Sequence, residues 1–116
     1  MPRVKLYIAG PMRGHEDLNF PAFNEAASLL RERGYKVENP AEYGDDPKKG
    51  MARGLTFISL EAEGVILLPC WEHSRGALAE VAAAVAVEVP VWDLSTILLY
   101  GPDPKKARKK TVPTKG

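Results

Sequence analysis

The chain has 116 residues, 45% of them hydrophobic, and a formal net charge of +1 at pH 7. This length suits one domain with a packed core. The single cysteine, Cys70, excludes an internal disulfide framework. The apolar stretch at residues 77–87 is about half the length needed to cross a bilayer, and residues 1–9 are too short and charged for a signal peptide. We therefore expect a cytoplasmic protein with no membrane partner.

Charge is unevenly distributed along the chain. After Gly101 there are six lysines or arginines and only one acid, so the preceding residues are net acidic. An acidic body argues against nucleic acid as a partner, although binding through the basic tail remains an alternative. The sequence predicts a domain over residues 1–100 and a basic tail, disordered or loosely docked, over residues 101–116.

The first third of the chain predicts a strand, a helix and a second strand. Alternating apolar residues indicate a strand over residues 4–8, which ends at a Gly-Pro turn. A polar loop leads to a helix that Asn19 is expected to cap and Gly34 to end. Residues 35–38 read as the second strand. This order is typical of a right-handed crossover between parallel strands.

Helices and strands continue to alternate in the rest of the chain. We predict a loop over residues 41–49, a helix over 51–61, a buried strand over 65–68, a helix ending near 87, a strand over 89–92 and a short edge strand or turn over 95–100. The alternation predicts an α/β fold, a three-layer sandwich with a four- to five-stranded, mainly parallel sheet of flavodoxin or Rossmann type. Ligands of such sheets bind at the carboxyl ends of the strands.

The bend after the third predicted strand is the strongest candidate site. Ser74 is suited to cap the following helix, and the amides near Gly76 would be free in its first turn to bind an anion. Glu80 stands alone among small apolar residues, so it is either a functional carboxylate or an exposed residue on a polar stripe. The loops after the first and third strands should meet, bringing Arg13, Ser74 and Glu80 into one cleft.

Two blocks of sequence carry a family resemblance. The first consists of YIAGPMRG at residues 7–14, NFPAF at 19–23 and NPAE at 39–42; the second is LPCWEHSRGA at 68–77, followed by Glu80. Over roughly residues 3–94 the chain resembles a family of small phage and bacterial proteins of uncharacterised function. That family is similar in turn to the nucleoside 2-deoxyribosyltransferases and the 2′-deoxynucleoside 5′-phosphate N-hydrolases.

This resemblance implies cleavage or transfer of the N-glycosidic bond of a (deoxy)nucleoside or its 5′-monophosphate. Glu80 matches the nucleophile, Tyr7 matches a tyrosine beside it, and Ser74 matches a serine that helps hold the 5′-phosphate. The expected substrate-binding residues are Gly10, Met12, Arg13, Gly14, Trp71, Ser74 and Gly76. The resemblance also implies a homodimer or larger homo-oligomer. We expect no cofactor, and the histidines lack metal-ligand spacing.

One departure from the relatives opens a second hypothesis. They usually carry Arg-Asp in the helix before the third strand, where this chain has Arg53 and Gly54. Without that carboxylate, the same fold would also suit a catalytically weak or inactive nucleotide-binding module.

Several candidate residues also have plain structural alternatives. Tyr7 would equally suit a packed strand, Trp71 a core position, Arg13 an exposed surface and Ser74 a helix cap alone. The glycines of both loops would be needed only for turns.

Overall fold

The computed structural model describes residues 3–109. Within this range the strands are β1 (Lys5–Ala9), β2 (Lys36–Glu38), β3 (Gly64–Leu67) and β4 (Val91–Asp93). The helices are α1 (Phe20–Glu32), α2 (Pro47–Leu60), α3 (Arg75–Ala86) and α4 (Leu94–Tyr100). The strands form one sheet in the order β2-β1-β3-β4, and every pair is parallel. The expected α/β fold is confirmed, with four strands.

Helices cover both faces of the sheet and give three layers. Successive side chains of a strand point to opposite faces. Leu6 and Ile8 of β1 accordingly pack with α1 and α4, whereas Tyr7 and Ala9 pack with α2 and α3. All four of these side chains are fully buried, because β1 lies between β2 and β3 in the sheet. The Tyr7 hydroxyl therefore lies in the layer formed by α2 and α3.

The helix before β3 begins earlier than the sequence predicts. Asp46 caps α2 by accepting hydrogen bonds from the amides of Lys48 and Lys49, and Pro47 occupies its first turn. Proline is well suited to this position, since the amide it lacks would have no helical partner there. The predicted start at Met51 was too late, because Asp46 and Pro47 were assigned to the preceding loop.

Two local predictions are wrong. Residues 95–100 lie in α4, not in an edge strand or turn; Ile97 is buried on its inner side, and Gly101, at φ +73°, follows its end. An apolar run this short shows neither a helical nor a strand period. The sequence therefore could not distinguish a helix from a strand or turn at residues 95–100. Asn19 does precede α1, but its side chain donates to the Pro11 carbonyl and does not cap the helix.

The segment after α4 lies against the sheet. The Trp92 indole donates to the carbonyl of Asp103 at 2.9 Å, and the amide of Arg108 donates to the Val91 carbonyl at 2.7 Å. Residues 101–109 of the predicted tail are thus docked on β4, and residues 110–116 lie outside the described residues. From residue 3 to residue 109, no helix is both long and apolar enough to cross a membrane.

Candidate active site

A buried carboxylate and a buried phenol form the centre of the site. The Tyr7 hydroxyl donates a hydrogen bond to Glu80 Oε2 at 2.6 Å. Tyr7 lies on β1, and Glu80 lies in the second turn of α3, 73 positions later in the chain. Glu80 is only 8% exposed. The structure therefore joins the two residues that the resemblance marked as catalytic and places Glu80 away from bulk solvent.

Burial dominates the protonation of this pair. Loss of hydration disfavours the carboxylate and raises the pKa of Glu80 from 4.5 to about 7, although the hydrogen bond from Tyr7 opposes the rise. Burial and the nearby Glu80 charge together raise the pKa of Tyr7 well above its ordinary value, so Tyr7 remains a donor. With a pKa of about 7, Glu80 populates both protonation states near neutral pH.

The first turn of α3 is built as the sequence predicts. Ser74 is the N-cap residue, and its Oγ accepts a hydrogen bond from the Ala77 amide at 3.1 Å. Side chains of a helix lean toward its N-terminus. Glu80, on the inner side of α3, is thus directed toward the same end of the helix as Ser74.

A glycine on α2 makes room for the pair. A Cβ atom on Gly54 would overlap the Tyr7 hydroxyl and lie 3.0 Å from Glu80 Oε2. The position where relatives were expected to carry a carboxylate is therefore a position where α2 closely approaches both Tyr7 and Glu80. In this chain the phenol occupies the space that a side chain at Gly54 would need.

The pair opens onto a cleft of about 690 Å³ at the carboxyl ends of the strands. Six of the residues selected from the sequence line it: Tyr7, Met12, Arg13, Ser74, Gly76 and Glu80. The loops after β1 and β3 therefore meet, as expected for an open parallel sheet.

Three other selected residues do not line this cleft. Trp71 is 4% exposed and packs in the core with α2 and α3. Gly10 lies beside β3, where a Cβ atom would come within 2.8 Å of Leu68 Cβ. Gly14, at φ +82°, serves a turn in the first loop. The structure gives each of these residues a role in packing or backbone geometry.

A family model covers most of the chain. Residues 4–93 match the family model described as "Domain of unknown function (DUF4406)". The chain belongs to the DUF4406 family. Among curated proteins, no sequence matches the chain. The expectation of an uncharacterised family is confirmed, and the similarity to deoxyribosyltransferases stays a prediction.

The matched DUF4406 region includes one wall of the cleft that the sequence reading missed. This wall is the segment after β2, residues 40–47, which contributes Tyr43, Asp45 and Asp46 to the lining. The Tyr43 hydroxyl donates to Glu38 Oε2 at 2.8 Å, and the Arg53 guanidinium lies 4.4 Å from the centre of its ring. A single tyrosine in a polar loop belongs to no periodic pattern, so nothing in the sequence identified Tyr43 as a cleft residue. The sequence indicated only the Asn-Pro turn that precedes it.

Charges differ between the walls of this DUF4406 cleft. The loop after β1 contributes Arg13 and the start of α3 contributes Arg75, whereas the segment after β2 contributes Asp45 and Asp46. An anion is favoured on the arginine side, at the N-terminus of α3. Within residues 3–109, no group of three His, Cys, Asp or Glu side chains is arranged to hold a metal ion.

Proposed function

We propose that this protein cleaves or transfers the N-glycosidic bond of a (deoxy)nucleoside or its 5′-monophosphate, with Glu80 as the nucleophile. One observation carries the proposal: a buried glutamate, hydrogen-bonded to Tyr7, opens onto a cleft beside the N-terminus of α3. The resemblance to deoxyribosyltransferases and nucleotide N-hydrolases assigns the same roles to Glu80, Tyr7 and Ser74.

The chemistry of the bond accounts for a carboxylate at this position. Breaking the bond between the sugar and the base develops positive charge on C1′, which an adjacent carboxylate stabilises. In the proposed step, a Glu80 oxygen forms a bond to C1′ as the bond to nitrogen breaks. The base leaves with the electron pair and takes up a proton. Water then releases the sugar and restores the carboxylate, or a second base accepts the sugar.

The phosphate of a nucleotide would lie at the first turn of α3. Arg13, Arg75 and Gly76 line the cleft there, and guanidinium groups and helix N-terminal amides are both suited to bind a dianion. Binding the phosphate at this end would place the sugar between it and Glu80. Charge complementarity thus favours the 5′-monophosphate over the free nucleoside.

The test is release of free base from a panel of ribo- and deoxyribonucleoside 5′-monophosphates. We expect wild-type protein to release base from at least one member and Glu80→Gln to lose at least about 100-fold in rate, because an amide is a poor nucleophile. Ser59→Ala on the exposed side of α2 is the matched control. Equal rates for Glu80→Gln and wild type, or no base release from any nucleotide, would reject the proposal.

Gly54 favours a second candidate, a nucleotide-binding module without turnover. The chain lacks a second carboxylate at this position, and the Tyr7 hydroxyl fills the space. Such a module would raise its melting temperature in the presence of a nucleotide without releasing base. Thermal shift and base release, measured on the same nucleotide panel, separate the two functions.

We also propose that the protein forms a homodimer or larger homo-oligomer. The solvent side of α3 carries Ala79, Ala82 and Ala86, and Leu99 on α4 is 75% exposed. Ile97 of α4 is buried in the core and is not available to such an interface. Light scattering during size exclusion measures the oligomeric state. A monomer at about 100 μM would contradict the proposal.

A further inference from the structure

The aromatic side chains of the cleft differ in how accessible they are. Tyr7 and Phe23 are 0% and 1% exposed, and Trp71, which was expected to bind substrate, lies in the core. Phe20 and Tyr43 line the cleft and retain partial exposure. Of the rings just named, these two are therefore the ones that a ligand can reach.

Two side chains contact Tyr43 and position its ring. Its hydroxyl donates to Glu38 Oε2 at 2.8 Å, and the Arg53 guanidinium covers one ring face at 4.4 Å from the centre. Arg53 Nε lies in turn 3.4 Å from Glu38 Oε2, which closes a three-residue network. Arg53 does not line the cleft, whereas Tyr43 does. The guanidinium thus covers one face of the ring, and the ring keeps a partly exposed edge on the cleft.

This ring also lies close to the central pair. Glu38 pairs with Tyr7 in the register of β1 and β2, so the two side chains lie on the same face of the sheet. The hydroxyls of Tyr7 and Tyr43 thus each donate to a glutamate, Glu80 and Glu38, on that face. A ligand whose sugar lies at Glu80 would bring its next group to this side of the cleft.

We propose that Tyr43 is the platform on which the base of the bound nucleotide stacks, with Arg53 and Glu38 as its positioning residues. This inference rests on the proposed function, because it takes the ligand to be a nucleotide. Stacking on an aromatic ring accepts any base, since every base has a π-face. A ring fixed in advance loses little rotamer freedom on binding. The platform thereby distinguishes a nucleotide with an intact base from a sugar phosphate without one.

Calorimetric titration tests this assignment in a Glu80→Gln background, which prevents turnover. The two ligands are 2′-deoxyguanosine 5′-monophosphate and 2′-deoxyribose 5-phosphate, which lacks the base. We expect Tyr43→Leu to weaken nucleotide binding about tenfold, the order expected for one lost stack, and to change sugar phosphate binding less than about twofold. Tyr43→Phe keeps the ring and should retain nucleotide binding within about threefold.

Phe20→Leu is the matched control, because it also removes a partly exposed ring from the cleft. A selective loss of nucleotide binding in Phe20→Leu, with none in Tyr43→Leu, would overturn the proposal, as would equal losses for both ligands in Tyr43→Leu. Far-UV circular dichroism and melting temperature establish that each variant is folded before it is titrated.

Base release and nucleotide binding, measured separately, distinguish this inference from the proposed function. Base release by wild type together with unchanged nucleotide binding by Tyr43→Leu would overturn the platform alone. Selective weakening in Tyr43→Leu without any base release by wild type would support the platform and reject catalysis. Absence of nucleotide binding to every variant would overturn both.

Discussion

At the scale of single residues, the burial of Glu80 has two opposing effects on its proposed role as nucleophile. Burial brings its carboxylate within 2.6 Å of the Tyr7 hydroxyl, but burial also raises its pKa to about 7. A nucleophile must be ionised, so the proposed activity should increase as pH rises through about 7. The hydrogen bond from Tyr7 lowers the pKa of Glu80 and thus favours the reactive form.

The same pKa shift predicts a pH-dependent stability. The unfolded carboxyl group loses its proton near pH 4.5, whereas the folded one keeps it until about pH 7. The stability that protonated Glu80 contributes is therefore complete below pH 4.5 and lost as pH rises through 7. The shift corresponds to about 3 kcal/mol. Glu80→Gln should consequently be more stable than wild type at pH 8, by an amount of this order, and about equally stable at pH 4.

Urea denaturation at the two pH values measures this difference. Glu72→Gln, which alters an exposed glutamate in the turn before α3, is the matched control and should change stability little at either pH. A Glu80→Gln variant less stable than wild type at pH 8 would contradict the argument from burial.

Gly54 predicts a second effect at the residue scale. In Gly54→Ala the new methyl group would overlap the Tyr7 hydroxyl and lie 3.0 Å from Glu80 Oε2. Because Tyr7 is fully buried, the pair must separate or α2 must shift. We expect a loss of about 2 kcal/mol in the free energy of unfolding, typical of overpacking, and a change in the pH profile of any base release.

Gly50→Ala controls for the change in helix propensity, because Gly50 also lies in α2. A Cβ atom there would find Tyr43 Cδ2 at 3.9 Å, an ordinary contact. That variant should gain about 0.5–1 kcal/mol from the replacement of glycine in a helix. If Gly50→Ala and Gly54→Ala change the free energy of unfolding equally, close packing against Tyr7 and Glu80 does not require glycine at position 54.

At the scale of elements, the start of α3 both stabilises the fold and forms the proposed phosphate site. Ser74→Ala removes the cap of α3 and should cost about 1 kcal/mol of stability. Ser74→Asp keeps a capping oxygen and adds a negative charge, so it should preserve stability but repel a nucleotide phosphate. Chemical denaturation and nucleotide titration of both variants measure the two effects. Equal nucleotide affinities for Ser74→Asp and wild type would place the phosphate elsewhere.

Periodic segments could be predicted from the sequence, and irregular ones could not. β1 and α1 were expected because apolar residues recur with the period of each element, β3 because it is a continuous apolar run between turn signals, and α3 because Ser74 can cap it. α4 was missed because its apolar run is too short to show a period. Glu80 was selected as an isolated carboxylate in an apolar helix, and Tyr7 came from the family resemblance. No local pattern indicated that α2 approaches the pair through Gly54. Tyr43 was missed because contacts with Glu38 and Arg53, not local sequence, position its ring.

At the scale of the whole molecule, the segment after α4 stabilises the β4 side of the sheet. Trp92 is 2% exposed, and its indole donates to the Asp103 carbonyl. The amide of Arg108 donates to Val91, while the side chain of Arg108 pairs with Asp93 at 2.9 Å. Removing this segment would leave the buried indole without its partner. An unsatisfied buried donor costs more than an exposed ion pair contributes.

A chain that ends at Gly101 should therefore be about 2 kcal/mol less stable than one that ends at Lys109. Chemical denaturation of the two truncated chains gives this difference directly. Trp92→Phe, which lacks the donor, should reduce the difference between them. If both chains unfold at the same urea concentration, residues 102–109 contribute nothing to the fold.

The two tyrosines of the cleft lie in structures of different rigidity. Tyr7 belongs to a strand between two others, whose amides should exchange with deuterium only when the entire domain unfolds. Tyr43 belongs to a connection, whose amides should exchange through local fraying. Mutagenesis aimed at new ligand preferences should therefore randomise residues 40–45, which leaves the Asp46 cap of α2 intact, because altering β1 would endanger folding before it altered selectivity.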